Sequence, residues 1–389
     1  MSSFKELSWD EAHSRAWSAA APLGSELVAI GEVADRWLAQ DCFALCDLPR
    51  YTTSAMDGWA VAGSGPWKII GDVKAGQPFK GALLAGTTLR IATGAVIPEG
   101  TLGVLRWENA HESEGQIFGE VTPNLDIRPS GEECRQGDLL IGKGKKLSPS
   151  LIGLLAATGY DAVEVFRKPK IALLLLGDEL QLEGIPADGL VRDSLGPQLP
   201  HWIARLGGEV ISQRYVTDEL ESVVTAISKV MGSCDLIITT GGTADGPRDH
   251  IHSALASLDA QFLVDRVRSR PGHPALLAKI PSPLPVPFLG LPGNPQSAVV
   301  GLMTLGAPVI RTFLGQVSEP LQTVQSREKL AAPPDFTRLV LGNLVEGSFV
   351  MGEHLGSAML RGLAFSSGFG LAPSGNTEIG AQIQWLPLP

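Results

Sequence analysis

The stretch that decides the fold is DLIITTGGTADGPRD, Asp235–Asp249. An apolar run, Leu236–Thr240, enters the glycine loop Gly241-Gly242-Thr243, and a helix is expected near His250–Leu258. Such an uninterrupted run reads as a strand buried on both faces. Glycines in the loop let backbone N–H groups approach an anion, and the dipole of a following helix favours negative charge there. A plain tight turn is the other reading. The loop is neither a Walker loop nor a dinucleotide fingerprint, which weakens ATPase and dehydrogenase assignments. Asp249 ends the loop, either as a helix N-cap or as a contact to a metal or hydroxyl.

The same pattern continues on both sides of this stretch. Ile171–Leu176 is a second apolar run, followed by Gly177-Asp178-Glu179. Asp193 precedes a helix carrying Leu199, Trp202, Ile203 and Leu206, which Gly207-Gly208 stops. Glu209–Val216 reads as a strand, and Asp218 with Glu221 predicts a capped helix to about Val230. Phe288–Leu291 is a late short strand. Pro292-Gly293-Asn294-Pro295 then leads into a long helix, Pro295–Phe313, with Asn294 as its expected cap. Strands alternating with helices from Lys170 to about Gly315 predict an α/β domain with a mainly parallel sheet. Open sheets of this kind bind ligands at the carboxyl ends of their strands, where three of these loops lie. Two acids there suit Mg²⁺, which takes few carboxylates alongside phosphate and water. Arg266, Arg268 and Arg270 alternate and so share one face of an extended segment. That face reads either as a solvated strand or as an anion-binding stripe, because guanidinium forks match oxyanions.

The flanks have a different texture. Ser8 with Glu11 forms a capping box for an N-terminal helix, and a second helix is expected over Ser25–Ala39. From Asp47 to about Leu140, short β-like runs such as Trp59–Ala62 and Thr88–Ala92 alternate with Gly/Pro turns, which predicts a small β-rich domain. Ser148-Pro149 starts a helix that ends at Gly159, and Asp161–Phe166 returns as a strand. After Val317 a second β-rich module runs to Trp385.

Composition narrows the function. The 389 residues carry a net charge of −10, which argues against nucleic acid as the main partner. No run reaches the roughly 18 to 20 apolar residues of a membrane span. The N-terminus, MSSFKELSWDEAHSRAW, shows no apolar signal core, so a cytoplasmic protein without a membrane partner is expected. Cys42, Cys46, Cys134 and Cys234 are too few for a disulfide scaffold and read as reduced thiols. Glycine (45) and proline (28) are in excess, which places many turns between short elements.

Taken in order, these segments resemble the MoeA family, the molybdopterin molybdenumtransferases, which include the E region of gephyrin. SAMDGWAV (54–61) is similar to the family's S-A-M-D-G-Y-A-V, and IATGAVIPEG (91–100) to its T-G-A-x-x-P-x-G. GDEL, TGGT, RPGHP and GLPGNPQSA follow, and GSAMLRGLAFSSGFGLAPSG (356–375) resembles the family's C-terminal motif. The resemblance implies a multidomain α/β plus β protein in four parts. These are an elongated N-terminal segment with helical character (1–46 and 141–168), an inserted β-rich domain (47–140), a MogA-like three-layer α/β domain (169–316) and a C-terminal β-barrel-like domain (317–389). It implies a homodimer with an inter-subunit site, and a MogA-type adenylyltransferase and molybdoenzymes as partners.

The reaction implied is the insertion of molybdenum from molybdate into adenylylated molybdopterin, with Mg²⁺-assisted hydrolysis and release of AMP. Asp57, Glu179, Asp218 and Asp249 match the family's functional acids, with Glu179 and Asp249 implied as holders of Mg²⁺. Thr93 matches a hydroxyl contact. Gly241, Gly242, Pro292 and Pro295 shape the loops. Arg266 and Arg270 stand where the family has lysines, and Arg338 and Ser357 match positions that close the oxyanion pocket. The chain also departs from the pattern: Glu133 replaces an aspartate, His273 a lysine and Leu195 an asparagine. These departures motivate an alternative, a catalytically weakened paralogue that binds molybdopterin or acts as a scaffold. An adenylyltransferase acting one step earlier is a third reading, against which the two β-rich domains weigh.

Overall fold

The computed structural model describes residues 6–243 and 250–389. The chain forms two compact units, one made of the residues up to Glu26 together with Phe166–Pro389, the other of Leu27–Val165.

The first unit contains a six-stranded sheet in the order Glu209–Val216, Lys170–Leu176, Leu236–Thr240, Val286–Leu291, Leu276–Ile280, Gln261–Asp265. The first four strands are parallel and the last two antiparallel. The apolar runs seen in the sequence are its central strands, and Leu236–Thr240 and Val286–Leu291 are buried at every position. Helices cover the sheet, and Ala172, Leu174, Ile227, Ile237, Leu255 and Phe288 share one core. Pro295–Phe313 is one continuous helical stretch with a π segment at Leu302–Gly306. The N-terminal helix, Trp9–Trp17, has the expected capping box between Ser8 and Glu11.

The C-terminal module is a closed barrel. Thr337–Val345, Ser348–Met351, Gln322–Ser326, Gln382–Pro387 and Gly368–Ala372 pair in that order, and the last closes on the first. Val324, Val340, Phe349, Ile383 and Trp385 fill it. Closure leaves these strands without an open edge within the ring. Val267–Arg270 adds to Thr337–Val345 in parallel, and Leu7–Ser8 adds to Val267–Arg270.

In the second unit, Gly103–Arg106, Gly58–Val61, Thr87–Ile91, Trp67–Val73, Gln116–Phe118 and His111–Ser113 form a six-stranded sheet. Val33, Leu38, Cys42, Ile141, Leu147, Leu155 and Val163 form a separate core. All four cysteines are free thiols. No helix among the described residues is long and apolar enough to cross a membrane.

Four local expectations need correction. Ser25–Ala39 is not a helix. Ser25–Ala29 is a strand paired with Ala162–Phe166, and Ile30–Glu32 a single 3₁₀ turn. Gly24 and Gly31 interrupt a helix there, and β-branched Val28, Ile30 and Val33 suit extended backbone. Asp218 does not cap the helix Leu220–Val230, whose N-cap is Glu219. Asn294 occupies the N-cap position of the Pro295 helix but makes no side-chain capping bond. Finally, the arginine alternation fails at Arg266, whose φ of 69° is left-handed and lies outside the strand Val267–Arg270.

Candidate active site

The carboxyl ends of three adjacent strands bring the glycine loops together. Gly241 donates its N–H to Leu291 O, 2.9 Å away, which ties the loop after Leu236–Thr240 to the end of Val286–Leu291. Gly241 has a φ of +81°, and a Cβ there would lie 2.9 Å from Leu176 O at the end of the third strand. Only glycine fits this approach. Gly242 follows in the same left-handed region. Asp249 lies outside the described residues.

On the outer side of this edge, two acids lock each other. Asp178 N donates to Asp218 Oδ2 at 3.3 Å, and Asp218 N donates to Asp178 Oδ1 at 3.2 Å. Two carboxylates are thus held side by side at the ends of neighbouring parallel strands. Glu179 folds back over Gly177, where a Cβ would meet its Oε1 at 3.0 Å. The reciprocal pair is Asp178 with Asp218, so of the two adjacent acids in GDEL it is Asp178 that meets Asp218. Its adjacency to Glu179 in GDEL was the available signal, but the sequence could not show which acid would face Asp218.

Beyond the loop that follows Val286–Leu291 lies a cavity of about 350 Å³. Arg270, His273, Pro292, Asn294, Arg338 and Ser357 are among its lining residues. Strand register explains the two arginines: Arg270 and Arg338 are direct partners in the parallel pairing of Val267–Arg270 with Thr337–Val345. Phe336 stiffens the arrangement. The Arg270 guanidinium lies 5.2 Å from its ring centroid and the His273 ring 5.4 Å. Arg338 Nη1 donates to Ala331 O at 3.0 Å, which orients its fork. Gly272 is required by closeness, because a Cβ would stand 2.7 Å from Val300 Cγ1.

Ser357 is held from the opposite wall. Its carbonyl accepts from Gln296 N at 2.9 Å. Gln296 Nε2 also donates to His354 O and Met359 O, fastening the barrel's 354–359 loop to the start of the Pro295 helix. Pro292 lines the cavity, whereas Pro295 serves as the first residue of that helix. Arg266 does not line the cavity. Two guanidinium groups and a hydroxyl facing one small space make a site for a compact oxyanion.

In the second unit, Asp57 accepts from Thr93 N of another loop through Oδ1 at 2.8 Å. This brings the SAMDG and TGA turns together, with Asp57 and Thr93 both exposed. Asp57 also lines a cavity of about 840 Å³ with Trp59, Arg90 and Trp107. Glu133 is exposed on another loop, its N–H donated to Leu48 O, and is not part of that cavity.

An α/β sheet with glycine loops and paired acids at its carboxyl edge, next to an arginine-lined cavity and a closed barrel, is a setting that suits phosphorylated or oxyanionic ligands. Residues 7–159 match the family described as the MoeA N-terminal region (domains I and II), and residues 172–312 the "probable molybdopterin binding domain". A molybdopterin molybdenumtransferase of Nostoc sp. is 30% identical over 94% of this chain and 89% of its own. One from Staphylococcus aureus is 29% identical over 80% of this chain and 78% of its own. The crystal structure of a molybdopterin biosynthesis MoeA protein from Pyrococcus horikoshii superposes with a TM-score of 0.83 at 26% identity, covering 99% of this chain and 100% of that one. The chain belongs to the MoeA family of molybdopterin molybdenumtransferases, transferases of molybdenum cofactor biosynthesis.

Proposed function

We propose that this protein takes molybdate and adenylylated molybdopterin, hydrolyses the phosphoanhydride to release AMP, and places molybdenum on the pterin dithiolene. The observation that carries this reading is the small cavity in which Arg270 and Arg338 stand side by side with Ser357 and Pro292. A tetrahedral dianion is recognised by guanidinium forks and a hydroxyl. The adjoining strand-end loops supply backbone for phosphate groups.

The nearby donor set also fits Mg²⁺. It consists of carboxylates on strand-end loops, and that ion is usually held by one or two of them together with substrate phosphates. Among the described residues no cluster of three or more acidic, His or Cys ligands stands ready-made. Glu179 and the Asp178–Asp218 pair, with Asp249, would hold it. Bound there, Mg²⁺ would neutralise charge on the phosphoanhydride as AMP departs. Arg266, Pro295, Gly241 and Gly242 act through loop shape and local charge.

We assign Asp57, Thr93 and Glu133 to the same reaction, contributed by a second copy of the chain in a homodimer. The four-part division at 47, 141, 169 and 317 is our working domain partition. A cytoplasmic location with a MogA-type adenylyltransferase upstream and molybdoenzymes downstream completes the reading.

The test mixes purified protein, adenylylated molybdopterin, Mg²⁺ and molybdate, then follows AMP. Molybdate-dependent AMP release that Arg338→Ala removes is the expected result. Absence of that release from the wild type overturns the enzymatic reading, and ligand binding without turnover favours the scaffold alternative.

A further inference from the structure

The cavity of about 840 Å³ in the second unit carries an aromatic wall that the reaction above does not use. Strand pairing builds it. Trp59 and Arg90 are direct partners between Gly58–Val61 and Thr87–Ile91, so their side chains share one face of the sheet. Trp59 also partners Leu105, and Trp107 follows two residues later, just past the strand Gly103–Arg106. The two indoles meet with centroids 5.2 Å apart at 57°. The Arg90 guanidinium lies 4.4 Å from the Trp107 ring centroid. Trp59 is 4% exposed and anchors the group, whereas Trp107 is 37% exposed. Indole and guanidinium planes are the surfaces on which nucleobases and similar rings stack.

We propose that this cavity binds a planar ring bearing a 2-amino-4-oxopyrimidine edge, which Trp107 and Arg90 stack and whose two N–H groups Glu112 receives. That edge is shared by a pterin and by guanine. The pterin source rests on the reaction proposed above, whereas the ring chemistry stands without it.

The polar lining selects the edge. The side-chain acceptors around the cavity are all carboxylates: Asp57, Asp72 and Glu112. Asp57 Oδ1 already accepts from Thr93 N, and Asp72 is matched by Lys74 at 3.4 Å. Glu112, on the strand His111–Ser113, makes no side-chain bond among the described residues and keeps both oxygens. A ring whose ring N–H and exocyclic amine are adjacent places one donor on each oxygen of that carboxylate. Adenine presents a donor beside an acceptor, which sets one carboxylate oxygen against a ring lone pair. Stacking alone would accept either ring, so the carboxylate supplies the selectivity.

Calorimetric titration of the full chain with 6-hydroxymethylpterin, guanosine and adenosine tests this. None of the three carries phosphate, so the cavity between Arg270 and Arg338 is not read. The pterin, guanosine or both should bind roughly tenfold more tightly than adenosine. Trp107→Ala should weaken the tighter ligand roughly tenfold, and Trp107→Phe, which keeps a ring, by about threefold or less. Glu112→Gln should narrow the preference over adenosine. Thermal melts of each variant confirm folding. Binding of the pterin alone assigns the site to the substrate's own ring, and binding of guanosine alone assigns it to a nucleotide. Equal affinity for adenosine, no binding of any ring, affinity unchanged in Trp107→Ala or preference unchanged in Glu112→Gln overturns the proposal. AMP release is measured separately, so its absence beside selective ring binding overturns the reaction and leaves this site standing.

Discussion

Two imidazoles are held at the same short N-terminal stretch, in different settings. His273 meets a carboxylate, Glu6, at the rim of a polar cavity. His13 is held between indoles over the π segment. Its Nδ1 lies 2.9 Å from Thr304 O, and its Nε2 accepts from Trp17 Nε1 at 3.3 Å. It stacks on Trp9 at 4.7 Å and 14°. With Nε2 accepting, Nδ1 carries the hydrogen, so the ring is satisfied only when neutral. Burial pushes its pKa down, and nearby Arg311 acts the same way against the Thr304 bond and Asp10. A carboxylate partner at a polar rim leaves one imidazole lining a cavity. A carbonyl and an indole N–H in a packed seam make the other a neutral wedge.

The largest test of this contrast removes both rings in turn. His13→Ala strips the stack from Trp9 and leaves Thr304 O and Trp17 Nε1 without their partner. A loss of roughly 2–4 kcal/mol in guanidinium unfolding is expected. His273→Ala, at the cavity wall, should cost less than about 1 kcal/mol while weakening oxyanion binding. Equal losses at the two positions would break the contrast.

A finer cut tests the π segment itself. Trp9 Nε1 donates to Thr304 Oγ1 at 3.0 Å in a buried setting. The same threonine thus anchors both rings, one through its hydroxyl and one through its carbonyl. Trp9→Phe keeps an aromatic ring against His13 but deletes that donor. About 1–2 kcal/mol should be lost, and Thr304→Val should add little on top because both changes remove one bond. Fully additive losses would show that the bond is not what the two residues share.

What could be read in advance follows from how local each feature is. Leu236–Thr240 and Glu209–Val216 have the boundaries expected from the sequence, because a strand between glycine or acidic turns announces itself within a few residues. The loops at the strand ends were legible for the same reason. The arginine stripe was only half legible. Periodicity put Arg266 with Arg270, and a single left-handed residue breaks that period. Arg270 and Arg338 were both candidates, but their direct pairing depends on a parallel register between chain-distant strands. Glu6 could not be found, since it reaches His273 across a separation of 267 residues and belongs to no motif. Ser25–Ala39 was misread because Leu27, Val28 and Ile30 fit either period, and pairing with Ala162–Phe166 decides in favour of strand.

The smallest expected effect is the pH dependence that His13 gives to stability. The folded protein holds His13 below its ordinary value of 6.5, so between the two values the unfolded chain binds more protons. Stability is therefore full above that ordinary value and declines as pH falls through and below it. Lowering pH from about 7.5 to 5.5 should cost stability through this residue, and His13→Phe should remove that share. Acid thus weakens the seam that His13 fills. A wild-type stability curve flat over this interval, or one unchanged by His13→Phe, would show that the ring accepts a proton without losing its bond to Trp17.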